Sequence, residues 1–323
     1  MARRVNLGTL CVGLVALLVA SQASAAAPST LIGETMGTTW SVKIAPPPVV
    51  KLDTRELRAA IQSRLDDLEA AMSTYRADSE VSRFNRAATT NWFPVSPDTA
   101  QVVKEALRLH QATEGAFDIT IAPLVDLWGF GRKRTSRVPT SNEITAALAL
   151  TGSEKLSLRT APSALRKADP HLAIDLSGIA KGYAVDAISG LLLRAELTNH
   201  LAQIGGEFLA RGHAAEGDPW RVGIEDARHP GEILHVVELK EQALSTSGNY
   251  RNLHEVAGRK FGHILNPRTG WPVENSLASA SVFAKSSATA DAVATALFVI
   301  GATAAAKAER LGVRCLLHST GED

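Results

Sequence analysis

The residues of this chain best suited to chemistry lie in four loop-rich segments that carry glycine beside charged or hydroxyl groups. In Ser286-Ser287-Ala288-Thr289-Ala290-Asp291-Ala292-Val293-Ala294-Thr295, the side chains of Asp291 and Thr295 fall four residues apart, on one face of a helix. A carboxylate and a hydroxyl at that spacing are two hard oxygen ligands, which Mg²⁺ accepts while keeping its waters or substrate phosphates. The plainer account is an Asp that favours the helix dipole and a Thr that bonds back to the preceding turn, and for this segment alone it is the simpler one. In Ala173-Ile174-Asp175-Leu176-Ser177-Gly178-Ile179-Ala180-Lys181-Gly182-Tyr183, an apolar strand is predicted to end at Asp175 and a helix to start near Gly178. Free amides at that start, with Lys181 in the first turn, suit a pyrophosphate. They suit a capped helix with a solvated lysine equally well.

The third segment is Gly262-His263-Ile264-Leu265-Asn266-Pro267-Arg268-Thr269-Gly270, a strand running into a tight turn. His263 there is a group whose ordinary pKa lies near neutrality, although Asn-Pro-x-x-Gly is also a plain turn and a lone histidine beside it is commonly just packed. The fourth is Thr113-Glu114-Gly115-Ala116-Phe117-Asp118, in which Asp118 follows a helix stop and could simply close an Asx-turn. Dinucleotide, P-loop, zinc and nucleophile-elbow signatures are all missing from the sequence.

The elements that must hold these groups follow from pattern. The alternating run Ile32 to Ile44 predicts one strand, stopped by Pro46-Pro47-Pro48. Asp53 with Glu56 caps a helix carrying Leu57, Ile61, Leu65, Leu68 and Met72 at three- and four-residue steps. Ser96-Pro97-Asp98 opens a second helix ending by Gly115, and Thr140 with Glu143 opens a third ended by Gly152. Strands are predicted at 172–175, 201–204, 220–224, 233–239 and 261–265, with long helices after Ser177 and after Ser287. Helices and strands come in blocks, so the expected class is a single mixed α+β domain.

The chain has 323 residues, 45% hydrophobic and 21% charged, with a formal net charge of +1. That balance argues against a nucleic-acid partner, which needs a concentrated excess of Lys and Arg. Arg3 and Arg4, the apolar stretch Val5 to Ala20 and Ala23-Ser24-Ala25 read as a secretory signal over residues 1–25, leaving residues 26–323 as the catalytic domain. Cys11 lies inside the apolar stretch after Leu10, a poor place for lipidation, and the paired arginines leave twin-arginine export open. No later segment is read as long and apolar enough to span a membrane. Removing Arg3 and Arg4 turns the formal +1 into −1, so anion binding must be local, and it leaves Cys315 without an intrachain partner.

Taken together, the wording and order of these segments resemble the ApbE family of flavin transferases. The stretches that carry the resemblance are Glu34 to Trp40, Met72 to Tyr75 with Ser79-Glu80 and Phe84-Asn85, and Gly115 to Asp118 with Pro123-Leu124 and Trp128 to Gly131. They continue with Asp175 to Asp186, Gly205-Gly206-Glu207, Ser245 to Gly248 with Tyr250, His263 to Gly270, and Ala290-Asp291 with Ala294 to Leu297. Such likeness runs from about Thr35 to about Gly301. It implies a T-fold-like α+β architecture and a Mg²⁺-dependent FAD:protein FMN transferase. The enzyme would join FMN through phosphate to a Thr or Ser of a partner protein and release AMP. By the resemblance, FAD meets Met36, Tyr75, Ala116, Phe117, Asp118, Asp175, Lys181 and Leu265, while magnesium sits between Asp291, Thr295 and the main-chain oxygen of Gly178. His263 is the candidate base, with Asp291 as its competitor. Acceptors would be subunits of membrane electron-transfer complexes, and the location exported and periplasmic, with the outer face of the inner membrane as a place of work. The same groups would also serve a Mg²⁺-dependent FAD pyrophosphatase giving FMN and AMP, or a flavin-binding protein without catalysis. The sequence departs from the family pattern at Gly262, where a Ser commonly precedes the His.

Overall fold

A computed structural model describes residues 29–45, 53–132, 134–135, 137–250, 253–256 and 258–321. The leader read over residues 1–25 and the stop at Pro46-Pro47-Pro48 lie outside them.

Where alternation predicts one strand, the chain forms a hairpin of β1 (Ser29–Thr35) and β2 (Thr38–Ile44). Met36 and Gly37 break the run with φ of 49° and 72°, the left-handed pair that closes a two-residue turn in keeping with strand twist. Helix α1 (Thr54–Met72) starts where the Asp53 carboxylate accepts the Arg55 and Glu56 amides, and it buries Ile61, Leu65, Leu68 and Met72. After α2 (Glu80–Arg86) and the short β3 (Phe93–Pro94), α3 (Pro97–Ala112) opens on Ser96, whose hydroxyl accepts the Thr99 amide. Helix α4 (Ala122–Leu127) is followed by α5 (Ser141–Ala149), which carries the complete Thr140–Glu143 capping box. A small antiparallel sheet joins β3 to β5 (Ser163–Lys167) and β4 (Leu156–Thr160).

The remaining elements build the body. Helix α6 (Ser177–Arg194) leads into β6 (His200–Ile204), β7 (Glu207–Arg211), β8 (Trp220–Glu225), β9 (Ile233–Leu239) and β10 (Ala243–Gly248). The hairpin β11 (Leu253–Val256) and β12 (Arg259–Gly262) comes before β13 (Leu277–Ala284), α7 (Ser287–Ile300), α8 (Ala304–Arg310) and β14 (Arg314–Ser319). Seven strands form one antiparallel sheet in the order β1-β2-β6-β7-β10-β13-β14. Ala202, Ile204, Leu209, Ala280 and Val282 on one face share a core with α6 and α7. On the other face, β8 and β9 cover Leu201, Ala210, Leu244 and Phe283. The architecture is the expected single α+β domain.

Three further expectations are corrected. Residues 172–175 are extended but unpaired with any strand, because the Asn85 amide takes the place of a neighbour: its Nδ2 donates to the Ile174 carbonyl and its Oδ1 accepts the Ile174 amide, each at 2.8 Å. The strand predicted at 261–265 ends at Gly262, since Asn249 Oδ1 accepts the Ile264 amide at 3.2 Å, and Leu265 makes only a single bridge with Pro272. The run Ser287–Arg310 is long and apolar enough to cross a membrane by composition, but most of it is buried inside the fold, as core helices of ordinary domains are.

The fold turns on the crossing of α6 with α7. A Cβ built on Gly182 would lie 2.3 Å from the Ser287 carbonyl oxygen, so only glycine permits this approach. Gly182→Ala must push the helices apart at a cost of about 1–3 kcal/mol. A urea melt should show a lower midpoint at unchanged slope; an unchanged midpoint would contradict the contact.

Candidate active site

The crossing fixes where chemistry can occur. Asp186 on α6 accepts the Ser287 and Ala288 amides at 2.7 and 2.9 Å, so a carboxylate from one helix caps the start of the other. One turn further along α7, Asp291 Oδ2 accepts the Gly182 amide at 3.0 Å. In a regular α-helix that amide has the Gly178 carbonyl as its acceptor. Here Asp291 also reaches that amide, one turn from Gly178 on the same stretch of α6. Thr295 follows one turn later, with Oγ1 3.1 Å from Ser247 Oγ on β10 and 3.9 Å from the point where a Gly178 Cβ would stand. Asp291, Thr295 and Gly178 therefore converge at one place.

The charge there is unbalanced toward the negative. Glu207 opens β7 directly after Gly205 and Gly206, whose φ of 58° and 107° turn the chain inward, and its Oε1 accepts from Lys181 Nζ. Asp291 and Glu207 are each 4% exposed. Burial, and then the Glu207 charge, push the Asp291 carboxyl up to about 7, against the opposing Lys181 charge and Gly182 amide. Burial opposes the Lys181 charge, yet Glu207 and Asp291 outweigh it and hold the ammonium above its ordinary range. Burial also raises Asp186, to about 6, despite its two amide donors.

A buried carboxyl raised in this way is stabilised by any further positive charge brought beside it. Among the described residues no cluster of three or more His, Cys, Asp or Glu side chains is arranged to hold a metal, so the available donors are a carboxylate, a hydroxyl and a carbonyl. That all-oxygen set fits a cation that keeps part of its hydration, as Mg²⁺ does.

The other predicted residues form a path around this centre. Ala116 and Phe117 are buried behind α3, and Phe117 Cε2 lies 3.1 Å from the position of a Gly178 Cβ. Asp118 points inward: its Oδ1 accepts from the Thr120 amide, Thr120 Oγ1 and Ser153 Oγ at 2.8, 2.6 and 2.8 Å, and its Oδ2 lies 3.4 Å from His110 Nδ1. Its carboxylate thus orders the loop that carries Phe117. The Asp175 amide donates to the Ile119 carbonyl at 2.7 Å, while its own Oδ1 accepts the Ser177 amide at 2.8 Å. One of the helix-start amides that could meet an anion is therefore already taken. Tyr75 keeps most of its ring exposed and donates its hydroxyl to the Phe130 carbonyl at 2.9 Å; partial burial and then the Asp175 charge push that hydroxyl up. The Phe130 ring meets His263 edge-on at 6.4 Å. Leu265 is buried with Trp128 and Phe261, and Met36 packs at the β1–β2 turn with its amide donating to Glu69 at 3.4 Å. Contacts link Phe117 to Gly178, and Tyr75 to Phe130 and then His263, while the Asp175 charge acts on Tyr75.

Sequence reasoning gave no individual role to Glu207, Asp186 or Asn85. The signal for Glu207 was the glycine pair before it. Nothing local marks Asp186, whose role depends on a helix about a hundred residues away. The departure at Gly262 has a local cause: Asn249 lies against it, with Cγ 2.1 Å from where a Cβ would be.

Comparison with known proteins shows which family the sequence and fold resemble. The sequence profile of the ApbE family matches residues 36–317. The chain is 43% identical over 276 residues to the FAD:protein FMN transferase of Vibrio cholerae serotype O1, covering 84% of this chain and 81% of the relative. It is 37% identical over 277 residues to that of Escherichia coli K12, covering 84% and 78%. The solved structure of the flavin transferase ApbE from Vibrio cholerae superposes with a TM-score of 0.83 at 40% identity, over 92% of this chain and 94% of the other. The apo flavinyl transferase ApbE of Pseudomonas stutzeri gives 0.83 at 37% identity, over 91% and 92%.

The Asp291 shift sets a pH dependence. Its folded pKa lies above the unfolded value, so the native state binds more protons and stability falls as pH rises from about 4 to about 7. Without divalent cations, wild-type protein should lose up to about 1.4 kcal/mol per pH unit from this group across that window. Asp291→Asn should flatten the curve in EDTA. Identical pH profiles for the two proteins would contradict the buried, raised carboxyl.

Proposed function

We propose, from the premise that this chain belongs to the ApbE family, that it moves FMN from FAD onto a Thr or Ser hydroxyl of an acceptor protein, with Mg²⁺ required and AMP released. The chain is a transferase of the FAD:protein FMN transferase kind. The observation that supports the finer reading best is the convergence of Asp291, Thr295 and the Gly178 carbonyl beside Lys181, at the α6–α7 crossing.

The reaction follows from charge. The acceptor oxygen attacks the phosphorus on the FMN side of the pyrophosphate, forms a phosphoester, and displaces AMP in line. Bound Mg²⁺ would supply charge neutralisation to the pyrophosphate oxygens. Asp291, Thr295 and the Gly178 carbonyl would hold it. Lys181 adds a fixed positive charge one turn into α6 and faces the same anion. Phe117, against Gly178, and the exposed Tyr75 ring offer apolar surfaces suited to the flanking rings of the nucleotide. The hydroxyl proton passes to His263, which Phe130 orients edge-on beside the Tyr75 hydroxyl contact.

Residues 1–25 fit an export signal, so the reaction is proposed to take place in the periplasm, on subunits of membrane electron-transfer complexes. Nucleic acid has no part in it.

Incubation with FAD, Mg²⁺ and an acceptor carrying a target Thr should give a fluorescent protein band and one AMP per flavin attached. EDTA or Asp291→Ala should abolish the band. AMP release without any band would assign the chain instead as an FAD pyrophosphatase, with water as the nucleophile. His263→Ala should slow transfer by about 10²–10⁴-fold while leaving FAD affinity nearly unchanged. Wild-type rates in that variant would move the proton to Asp291.

A further inference from the structure

Two other carboxylates near the site, Asp118 and Asp186, have donors on both oxygens. Asp118 takes donors from Thr120 and Ser153, and Asp186 takes one α7 amide on each oxygen. Glu207 differs. Its Oε1 is paired with Lys181 Nζ, and its Oε2 is buried with no hydrogen-bond partner among the described residues. Leaving a buried acceptor unmade is costly, so a carboxylate kept for the fold alone would not be built this way. The local backbone is committed to it nonetheless: Gly205 and Gly206 both adopt left-handed φ, and a Cβ on Gly205 would lie 3.5 Å from Glu207 Oε2 and 2.9 Å from Thr38 Cγ2. The glycine pair thus packs β7 close to the β1–β2 hairpin and turns the glutamate toward α6.

We propose that Glu207 is a positioning residue, which holds the Lys181 ammonium over the start of α6 so that it faces the pyrophosphate of the flavin substrate. This rests on the reading of Lys181 as a flavin contact. Asp291 is the other carboxylate whose charge acts on Lys181. Glu207 draws the ammonium to the β7 side, and so keeps Lys181 from closing on Asp291 and filling the place where a cation would bind. Without Glu207 the lysine has Asp291 as its remaining anion, and the ground-state grip on FAD weakens more than the chemical step.

The test is a double-mutant cycle read as KM and kcat for flavin transfer, together with FAD affinity from quenching of flavin fluorescence in Mg²⁺ buffer. Lys181→Met should raise KM and the FAD Kd by about tenfold or more, the scale of one charge-assisted hydrogen bond. Glu207→Gln should do the same, with kcat changed by less than about threefold. The double variant should be no worse than Lys181→Met alone, and Glu207→Asp should fall between Gln and wild type. If Lys181→Met leaves FAD affinity unchanged, the reading of Lys181 fails and takes this assignment with it. If Lys181→Met weakens binding while Glu207→Gln does not, or if the two losses multiply, Glu207 does not act through Lys181. Should Glu207→Gln be too unstable to assay, Glu207→Asp decides: a raised KM at wild-type unfolding midpoint supports the assignment, and a wild-type KM overturns it.

Discussion

One contact between two helices organises the site. Because residue 182 is glycine, α7 approaches α6 closely enough for the Gly182 amide to reach Asp291, and Asp186 pins the first turn of α7 from the same helix. A buried carboxylate held by a backbone amide is stable in position but poorly compensated in charge. Burial raises Asp291 to about 7, and the neighbouring Glu207 adds to that. The crossing therefore fixes both where the carboxylate sits and why it favours a cation.

From there the chemistry is distributed by depth. Asp291 and Glu207 are buried, Lys181 reaches Glu207 from the first turns of α6, and the residues suited to the rings of a nucleotide lie further out, Tyr75 most of all. The loop from Ala116 to Asp118 serves mainly through its shape. Asp118 saturates its own oxygens with Thr120 and Ser153, which sets Phe117 against Gly178. A carboxylate that looks available in sequence is thus spent on ordering the wall of the site.

Local signals were legible to the extent that they were local. Asp53, Ser96 and the Thr140–Glu143 box mark helix starts that the structure shares, because a cap depends on residues three positions apart. The hairpin at Met36-Gly37 was hidden because a non-glycine residue takes positive φ there, and the segment 172–175 read as a strand because its partner is a side chain 89 residues distant. At the site, the i,i+4 pair Asp291 and Thr295 could be read from spacing, whereas the Gly182–Asp291 contact and the Lys181–Glu207 pair require the tertiary structure. Resemblance to a family supplied what spacing could not, since it carried the distant segments together.

The account's central claim is that Asp291, Thr295 and the Gly178 carbonyl form one cation site beside the flavin pyrophosphate. Anomalous diffraction from crystals grown with FAD, and with Mn²⁺ in place of Mg²⁺, tests it most directly. The account predicts a single strong peak within about 2.5 Å of an Asp291 carboxylate oxygen, Thr295 Oγ1 and the Gly178 oxygen, with nucleotide phosphate completing its shell. A peak elsewhere, or flavin density at the α6–α7 crossing with no metal beside Asp291, would contradict it.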